Sequence, residues 1–532
     1  MVNIVNVSVT QTIAPTPATL QATGALISQG ATNTTPGTST LLTQASSLTS
    51  ILNGAKAYST LTQGSGTATF TAASAHGFTI GDTLYITIAG ATPAAYNGTF
   101  LCTVTTTTAF TYAVPSGTGG TASGTVVYTV EDVAELNAMV TTFFAQGSGL
   151  GVYVLELGAG NPSDGVTALT NYITNNPNSN YTPGAAGYFY SYLVPRTWDG
   201  TSSFIAFLAS FEATTSQTYF FITTTLTNYA LYTSLMKCAF TLIESPAIGV
   251  YTGQSLSTLT YSGGLATATT PTNHGVAVGQ WFQITGCTPT GYNGWWQAVT
   301  GTTGSTLVWA ISSNPGAESV LGSLVANQVA NTGIPATEFS AAAAFWTTLN
   351  YNPSPINLVT PTAFSEVAGV TPFPTRGFSS LLATLKSAFV NVIGTGAEGG
   401  ISNTLLLWGT TEDGHDFTYW YSVDWVQINL NINVSNAVIN GSNNPQNPLY
   451  YDQHGINRLL AVVKNTMLSA VAFGLSLSNF SASAVPFTTY VLANPSNYPA
   501  GIYNGLSVSY TPNRGFIQIT VYVNVTSFPA GS

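Results

Sequence analysis

The two ends of the chain carry the clearest alternation of apolar and polar positions. In residues 516–525, FIQITVYVNV, every second side chain is apolar. The apolar positions are Ile517, Ile519, Val521, Val523 and Val525. Near the N-terminus, Val5, Val7 and Val9 alternate with polar residues. A period of two is typical of a strand with one buried face, so each end predicts a strand that needs a sheet edge, either in the same chain or in a neighbouring copy.

Between the ends, helical and strand patterns alternate. Helical spacing is found near 133–146, 166–173, 203–212, 337–349, 379–390 and 456–473, and compact apolar strands near 152–157, 188–194 and 219–224. Thr129 and Asp132 resemble a capping box before the first helix, and Asp452 and Gly474 bound the last one. Residues 424–438 are aromatic and β-branched, and their pattern does not decide between helix and strand. This alternation predicts an α/β layer.

An internal repeat interrupts that rhythm. Residues 76–98 read HGFTIGDTLYITIAGATPAAYNG, and residues 274–294 read HGVAVGQWFQITGCTPTGYNG. One two-residue gap aligns the histidine, the glycines, the proline and the closing Tyr-Asn-Gly. Both copies are rich in short β-type runs, and Asn-Gly is a strong hairpin-turn signal. We therefore expect two related all-β modules, each a small sandwich or barrel.

These patterns divide the chain into six regions. The expected regions are an N-terminal strand and arm over 1–61, a first β module over 62–128, a first α/β core segment over 129–250, a second β module over 251–326, a second α/β core segment over 327–515 and a C-terminal exchange strand over 516–532. The expected fold class is a multidomain α/β or α+β chain. It has a mixed core, two related all-β insertions and extended terminal strands.

The amino-acid composition excludes some classes of protein. The chain has 532 residues, of which 45% are apolar and only 5% are charged, with 8 basic and 18 acidic side chains. Soluble domains average about 25% charged residues. This hydrophobicity excludes disorder, and eight basic residues cannot neutralise a long phosphate backbone, so no nucleic-acid partner is expected. The net charge of −10 fits either close packing of many copies or adaptation to an acidic medium, with comparable weight.

The cysteines and the apolar runs bear on the compartment. Cys102, Cys238 and Cys287 form no CxxC pair, which favours synthesis in a reducing cytoplasm over a disulfide framework. The start MVNIVNVSVT has no basic region followed by an apolar one, so no secretory signal is expected. The most apolar stretch, Leu459 to Leu477, contains Lys464 and is interpreted as a core helix, so no membrane insertion is expected.

The four histidines offer little catalytic chemistry. His76 and His274 occupy equivalent repeat positions, which favours a turn role over metal binding, and His454 falls in the first turn of the long predicted helix. Residues 412–417, EDGHDF, form the densest charged cluster and could ligate a divalent ion. A solvated β-turn is the favoured interpretation, because Asp and Gly stand where such turns place them.

Signatures of enzymes were sought and not found. The sequence has no GxxxxGK[ST] loop, no GxSxG elbow and no HExxH helix. A pair of carboxylates placed for glycoside hydrolysis remains an alternative, although the chain has few acidic residues from which to form it. Tyr292, Trp295 and Trp296 could line a glycan-binding face, but core packing of the β module is favoured. We expect no enzyme activity, no cofactor and no metal.

The order of these regions resembles the tail sheath protein of contractile-tailed bacteriophages, in a divergent branch with inserted β modules. Pro335 to Pro374 fits that branch, with an AAAAFW helix followed by LVTPTAFSEVAGVTPFP. Tyr421 to Gly474 fits as well, with Asp424-Trp425 before the Gly-Ile helix. The resemblance covers everything outside the two β modules. It departs from the family in charge: TPNRGF supplies only Arg514 where relatives usually carry a basic segment.

The resemblance implies a structural virion protein assembled in the host cytoplasm. Copies would form hexameric rings or a six-start helix around the tail tube protein and would meet baseplate and tail terminator proteins. The terminal strands would join the sheets of neighbouring subunits, so that the sheath contracts by subunit rearrangement, drives the tube into the host envelope and permits genome ejection. Pairing would use Val5, Val7 and Val9 at one end, and Ile517, Ile519, Val521, Val523 and Val525 at the other.

Two other functions remain alternatives. A cell-surface adhesin or surface-layer protein would also carry repeated Thr-rich β modules, but the helix-rich segments and the absent signal peptide count against it. A polysaccharide-degrading tail protein would need a β-helical repeat along most of the chain, whereas only two separated copies occur.

Overall fold

A computed structural model describes residues 20–78, 80–114, 120–147, 149–176, 189–212, 217–226, 228–232, 236–244, 253–276, 278, 281–311, 313–324, 338–373, 379–396 and 403–516. The helices are α1 Glu131–Ala145, α2 Pro162–Asn175, α3 Ser202–Glu212, α4 Ser340–Leu349, α5 Ser379–Ser387, α6 Phe417–Ser442, α7 Gln453–Ala472 and α8 Phe487–Ala493. Within these residues, none of the helices combines the length and the apolar character that crossing a membrane requires.

The strands fall into several separate sheets. They are β1 Gly24–Ser28, β2 Thr38–Leu42, β3 Lys56–Gly64, β4 Thr67–Ala72, β5 Thr83–Ala89, β6 Gly98–Val104, β7 Ala109–Ala113, β8 Val127–Val130, β9 Val152–Glu156, β10 Ser191–Leu193, β11 Tyr219–Thr224, β12 Ala239–Ile243, β13 Gln254–Ser255, β14 Thr258–Ser262, β15 Leu265–Thr269, β16 Trp281–Thr285, β17 Gly294–Gln297, β18 Thr306–Ala310, β19 Ser323–Leu324, β20 Asn391–Gly396, β21 Asn403–Leu407, β22 Ser481–Ala484 and β23 Leu506–Ser509. The mixed α/β prediction is confirmed.

An eight-stranded sheet forms the centre of the molecule. Its order is β2-β9-β1-β10-β11-β12-β20-β21, with six parallel strands between two antiparallel edge strands. Every residue of β1, β10, β11 and β12 is buried. Parallel strands read as continuous apolar runs because helices cover both of their faces.

The two faces of this sheet carry separate hydrophobic clusters. Alternation along β1 places Leu26 in a cluster with α1, α4 and α6, and Ile27 in a cluster with α2 and α3. The core is therefore a three-layer α/β/α arrangement. Helices α6 and α7 pack against each other on the first face and carry the C-terminal region of the chain.

The first β repeat copy is a closed barrel. Six strands in the order β3-β4-β7-β6-β5-β8 surround a core in which the rings of Phe70 and Phe110 stack at 4.7 Å. The second copy has two sheets, β14-β15-β18 and β13-β19-β16-β17, around the buried rings of Phe282 and Trp309.

Matched residues of the repeat make matched hydrogen bonds. Nδ1 of His76 accepts a hydrogen bond from the amide of Phe78 at 3.1 Å. In the second copy, Nδ1 of His274 accepts from the amide of Val276 at 3.0 Å. The side chain of Asn97 bridges the amide and carbonyl of Ala91. In the second copy, Asn293 bridges Cys287 in the same way. The shared sequence therefore encodes one loop geometry twice, and the turn role predicted for both histidines is confirmed.

Asn-Gly does not form the two-residue hairpin turn that the sequence predicted. Asn97 has a φ of −88°, whereas the type I′ turn needs positive φ at both central residues. A longer loop with a short 3-10 helix at Ala94–Tyr96 joins β5 to β6. The Asn97 side chain is used to hold that loop.

The predicted capping box at the first helix is wrong. Thr129 lies in β8, paired with Thr87 of β5, and Val130 is the N-cap residue without a side-chain cap. Residues 127–130 form β8 with one buried face, so Thr129 pairs within the barrel and does not cap the helix. Asp452, in contrast, accepts from the amide of Gly455 at 2.7 Å and opens α7 as predicted, and Gly474 follows its end with a φ of +77°.

The N-terminal arm predicted up to residue 61 is also shorter than expected. Residues 24–28 form β1, a fully buried central strand, and β2 follows at the sheet edge. The apolar run Ala25–Ile27 is too short for its pattern to separate a core strand from an arm. The undecided stretch 424–438 lies within α6, which is helical from Phe417 to Ser442.

Candidate functional site: the root of the C-terminal segment

All residues predicted to pair strands between subunits lie outside the described residues. They are Val5, Val7, Val9, Ile517, Ile519, Val521, Val523 and Val525. The described chain ends at Phe516, so the structure gives the place where the C-terminal segment begins. We call residues 511–516 the root of this segment.

The charged motif EDGHDF forms a tight hairpin next to the root. Thr410 and Asp416 are bridged as antiparallel partners, and the amide of Thr411 donates to the carbonyl of His415 at 2.9 Å. Gly414 takes a φ of +80°, and a Cβ there would lie 2.7 Å from the ring of Phe389. Only glycine fits this turn, because both the conformation and the space exclude a side chain.

Asp416 joins this hairpin to α6 and to the root. It is the N-cap residue of α6 and accepts from the amide of Thr418, while Oδ2 accepts from the amide of Gly515 at 3.1 Å. The side chain is only 4% exposed, and burial raises the pKa of this carboxyl, although the amide donors oppose the shift. The prediction of a solvated turn is therefore wrong for Asp416.

Two aromatic side chains in the first turn of α6 contact the polar and charged side chains around the root. The guanidinium of Arg514 lies 4.5 Å from the ring centre of Tyr419, and the His415 ring stacks on the same tyrosine at 4.7 Å. Nε1 of Trp420 donates to Asp413 at 2.8 Å. Such cation–π contacts contribute roughly 0.5–1 kcal/mol at exposed sites. The one basic residue of TPNRGF is thus used inside the subunit.

Main-chain contacts fix the root to the loop after α7. The amide of Asn513 donates to the carbonyl of Leu475 at 3.1 Å, and its side chain donates to the carbonyl of Gly474 at 2.7 Å. The amide of Leu477 donates to the carbonyl of Thr511 at 2.9 Å. Residues 511–516 are therefore anchored to the core by these contacts.

Two further buried carboxyls join the large sheet to this region. Glu412 is 1% exposed and accepts from the hydroxyl of Thr241, and burial raises its pKa to about 8. Asp424 accepts from the hydroxyls of Tyr190 at 2.9 Å and Tyr219 at 2.8 Å. Burial raises the pKa of Asp424 to about 6, against the effect of the two hydroxyl donors. Their partners are core side chains. Glu412 ties the hairpin before α6 to β12, and Asp424 ties α6 itself to Tyr190 and Tyr219.

A small open sheet lies near the root. β22 and β23 pair antiparallel from Ser481–Ser509 to Ala484–Leu506, and no third strand of the described chain joins either edge. Phe480, Val508 and Tyr510 pack against the main hydrophobic cluster. A two-stranded sheet is marginally stable on its own, and each of its edges presents main-chain groups that another strand can pair with.

The remaining candidate residues have structural surroundings. Tyr292 is buried, and its carbonyl accepts from Nε1 of Trp296 at 2.8 Å, which fits the predicted core packing. His454 lies in the first turn of α7, as predicted. The three cysteines are buried and free. Among the residues that the structure describes, no three His, Cys, Asp or Glu side chains lie close enough together to hold a metal ion.

No protein-family model matches the chain, and no curated protein matches it. Among solved structures, the chain is similar to a sheath tail protein from Listeria innocua, with a TM-score of 0.38 and 9% sequence identity. The alignment covers 93% of this chain and 95% of that protein. At this TM-score the similarity establishes neither the fold nor the function of this chain.

Proposed function

We propose that this chain is a non-enzymatic structural subunit of a contractile phage tail sheath. The observation that carries the proposal is the anchored root. Asp416, Asn513 and Arg514 hold the last described residues firmly on the core. Directly after them comes the segment with perfect strand alternation. A firmly held root followed by a strand-forming tail suits a connection that bears load between subunits. The motif order described above supports the same function.

The acceptor for this strand is the open sheet of β22 and β23 in a neighbouring copy. Strand addition supplies main-chain hydrogen bonds, and these can persist while the other contacts between two subunits rearrange. Subunits joined in this way can rotate relative to one another while the link persists. Contraction is then a one-way change between two packings of the same rigid core, without a nucleotide.

The low charge of the chain fits a lattice held by apolar and main-chain contacts. Several of its 18 acidic side chains are buried inside the subunit, among them Glu156, Glu244, Glu412, Asp416 and Asp424. The C-terminal region instead exposes apolar side chains. These include Val438, Ile439, Tyr450, Leu468, Leu492, Tyr498 and Ile502. Where such side chains adjoin one another, subunits that pack against this region would bury them.

The proposal includes partners. Hexameric rings or a six-start helix of this subunit would surround the tail tube protein and end at baseplate and tail terminator proteins. Assembly would take place in the host cytoplasm and the product would be the virion tail. The terminal strand set at the N-terminus, Val5, Val7 and Val9, would make a second link between copies.

Negative-stain electron microscopy of the concentrated full-length protein tests this function. Hollow tubes or stacked rings with sixfold character are expected. Flat two-dimensional sheets would instead support a surface-layer protein and would overturn the sheath proposal.

A further inference from the structure

A groove of about 630 Å³ lies beside the root of the C-terminal segment. It runs between the C-terminal end of α4 and the loop that follows it. Its lining is mixed. Trp346, Leu358, Pro361 and Phe364 are apolar, and most of the other lining residues are polar, among them Asn350, Asn357 and Glu366. Leu358 is 55% exposed and Phe364 is 46% exposed. Two large apolar side chains thus face solvent within one concave surface.

The backbone holds Phe364 in this exposed position. Its amide donates to the carbonyl of Leu406 at 2.8 Å, and the amide of Val367 donates to Thr404 at 3.0 Å. These bonds attach the segment to the edge strand β21. Phe364 takes a φ of +63°, a conformation that is unfavourable for a bulky side chain. The strained backbone thus presents the ring of Phe364 outward into the groove.

The root of the C-terminal segment ends at the rim of this groove. A Cβ on Gly515 would lie 2.5 Å from Cβ of Pro361, so the backbone of Gly515 rests directly on a lining residue. Gly474, whose carbonyl accepts from Asn513, lies against Leu358 in the same way, at 3.2 Å. The chain therefore reaches the groove two residues before Ile517.

We propose that residues 517–525 of the same chain occupy this groove in the unassembled subunit. The apolar face of Ile517, Ile519 and Val521 covers Leu358 and Phe364. A strand advances about 3.3 Å per residue, so the first residues after the root are long enough to reach Leu358 and Phe364 from the rim. A tether of two residues gives an effective concentration in the millimolar range or above, so the subunit's own segment outcompetes a second copy in dilute solution.

This inference rests on the proposed function, because it describes where the exchange strand is kept before assembly. The groove then acts as a store that keeps the strand from pairing at random. When a subunit joins the growing lattice, its strand leaves the groove and pairs with the β22–β23 sheet of a neighbour.

A cysteine scan of the full chain tests the store. Leu358→Cys is combined in turn with cysteine at each position from 517 to 525, and the dilute protein is oxidised and analysed by mass spectrometry. Disulfides need Cα atoms about 4.4–6.8 Å apart, so only side chains that face the groove should react. We expect links within one chain that peak at a single odd position, 517, 519 or 521, and that are several-fold weaker at the even positions beside it, because the strand advances about 6.6 Å every two residues. Leu358→Cys alone is the control for reaction with the native buried cysteines.

Mixing ¹⁵N-labelled and unlabelled protein separates the outcomes. Links within one chain that peak at one odd position support the inference that the segment lies in the groove. Links between labelled and unlabelled chains would show that a second copy fills the groove. An absence of links, or equal yields at odd and even positions, would show that the segment does not lie there. Each of these results overturns the inference. Tube formation is scored on the wild-type chain separately, so failure of the store and failure of the sheath function remain distinguishable. Phe364→Cys repeats the scan from a second lining position.

Discussion

The carboxylate of Asp416 accepts a hydrogen bond from the amide of Gly515 at 3.1 Å, across 99 residues of sequence. The same side chain caps α6 through the amide of Thr418. One buried carboxyl therefore fixes both the start of a 26-residue helix and the place where the C-terminal segment leaves the core.

Replacing Asp416 should loosen the root more than it unfolds the subunit. Asp416→Ala removes an N-cap, which costs about 1 kcal/mol of stability, and it also removes the bond to Gly515. We expect cleavage by trypsin after Arg514 to become several-fold faster, because the root opens more often. Limited proteolysis followed by mass spectrometry measures the rate.

Asp452→Ala is the matched control for this change. It removes the equivalent N-cap of α7, where Asp452 accepts from the amide of Gly455, and leaves the root untouched. Its cleavage rate after Arg514 should equal that of the wild type. Equal acceleration in both variants would mean that global destabilisation, and not the anchor, governs the root.

Glu412 should make the subunit more stable in mild acid than in mild base. Its folded-state pKa is about 8, above the ordinary value of 4.5, so the folded state binds the proton more tightly than the unfolded state. The stabilisation of the folded state by this proton is complete below pH 4.5 and is lost as the pH rises through 8. Its size is roughly 2–5 kcal/mol. Denaturant unfolding at pH 6, 7, 8 and 9 should show a falling free energy of unfolding.

Glu412→Gln isolates this effect. The variant cannot ionise, so its free energy of unfolding should fall less than that of the wild type between pH 7 and 9. Glu318→Gln, at an exposed position, should keep the wild-type slope. If Glu412→Gln also keeps that slope, the buried carboxyl is not the group that titrates.

The two bridging asparagines should have equal and local effects. Asn97→Ala removes the two hydrogen bonds to Ala91, and Asn293→Ala removes the two to Cys287. Each loss should cost about 1–3 kcal/mol, because the main-chain amide and carbonyl of a buried residue, Ala91 or Cys287, lose their partners. Hydrogen exchange should rise in the barrel for the first variant and in the second β module for the second. Exchange that rises in both modules together would contradict the local role.

Regular elements were predictable where the local pattern agreed with burial. The run Tyr219–Thr224 is one apolar strand in both sequence and structure, and α7 has Asp452 at its start and Gly474 after its end. Helix α6 was not decided, because aromatic and β-branched residues favour strands on propensity alone. Its helical state depends on the Asp416 cap and on packing against α7 and the main sheet.

The candidate site was harder to predict because its burial comes from distant residues. EDGHDF has the composition of a solvated turn, yet Glu412 contacts Thr241, 171 residues away, and Asp416 contacts Gly515. One signal was present in the sequence. In a chain with so few charges, an acidic motif and Arg514 beside a predicted strand were each conspicuous, and the fold brings them to the same helix end.

The most direct test of the account compares the full-length chain with a variant that lacks residues 517–532. Both are concentrated at moderate salt, alone and with preformed tail tubes as template, and are imaged by negative-stain electron microscopy. The account predicts tubes or stacked rings with sixfold character from the full-length chain, and only folded monomers from the truncated one. Normal tubes from the truncated chain, or monomers from the full-length chain in both samples, would contradict it.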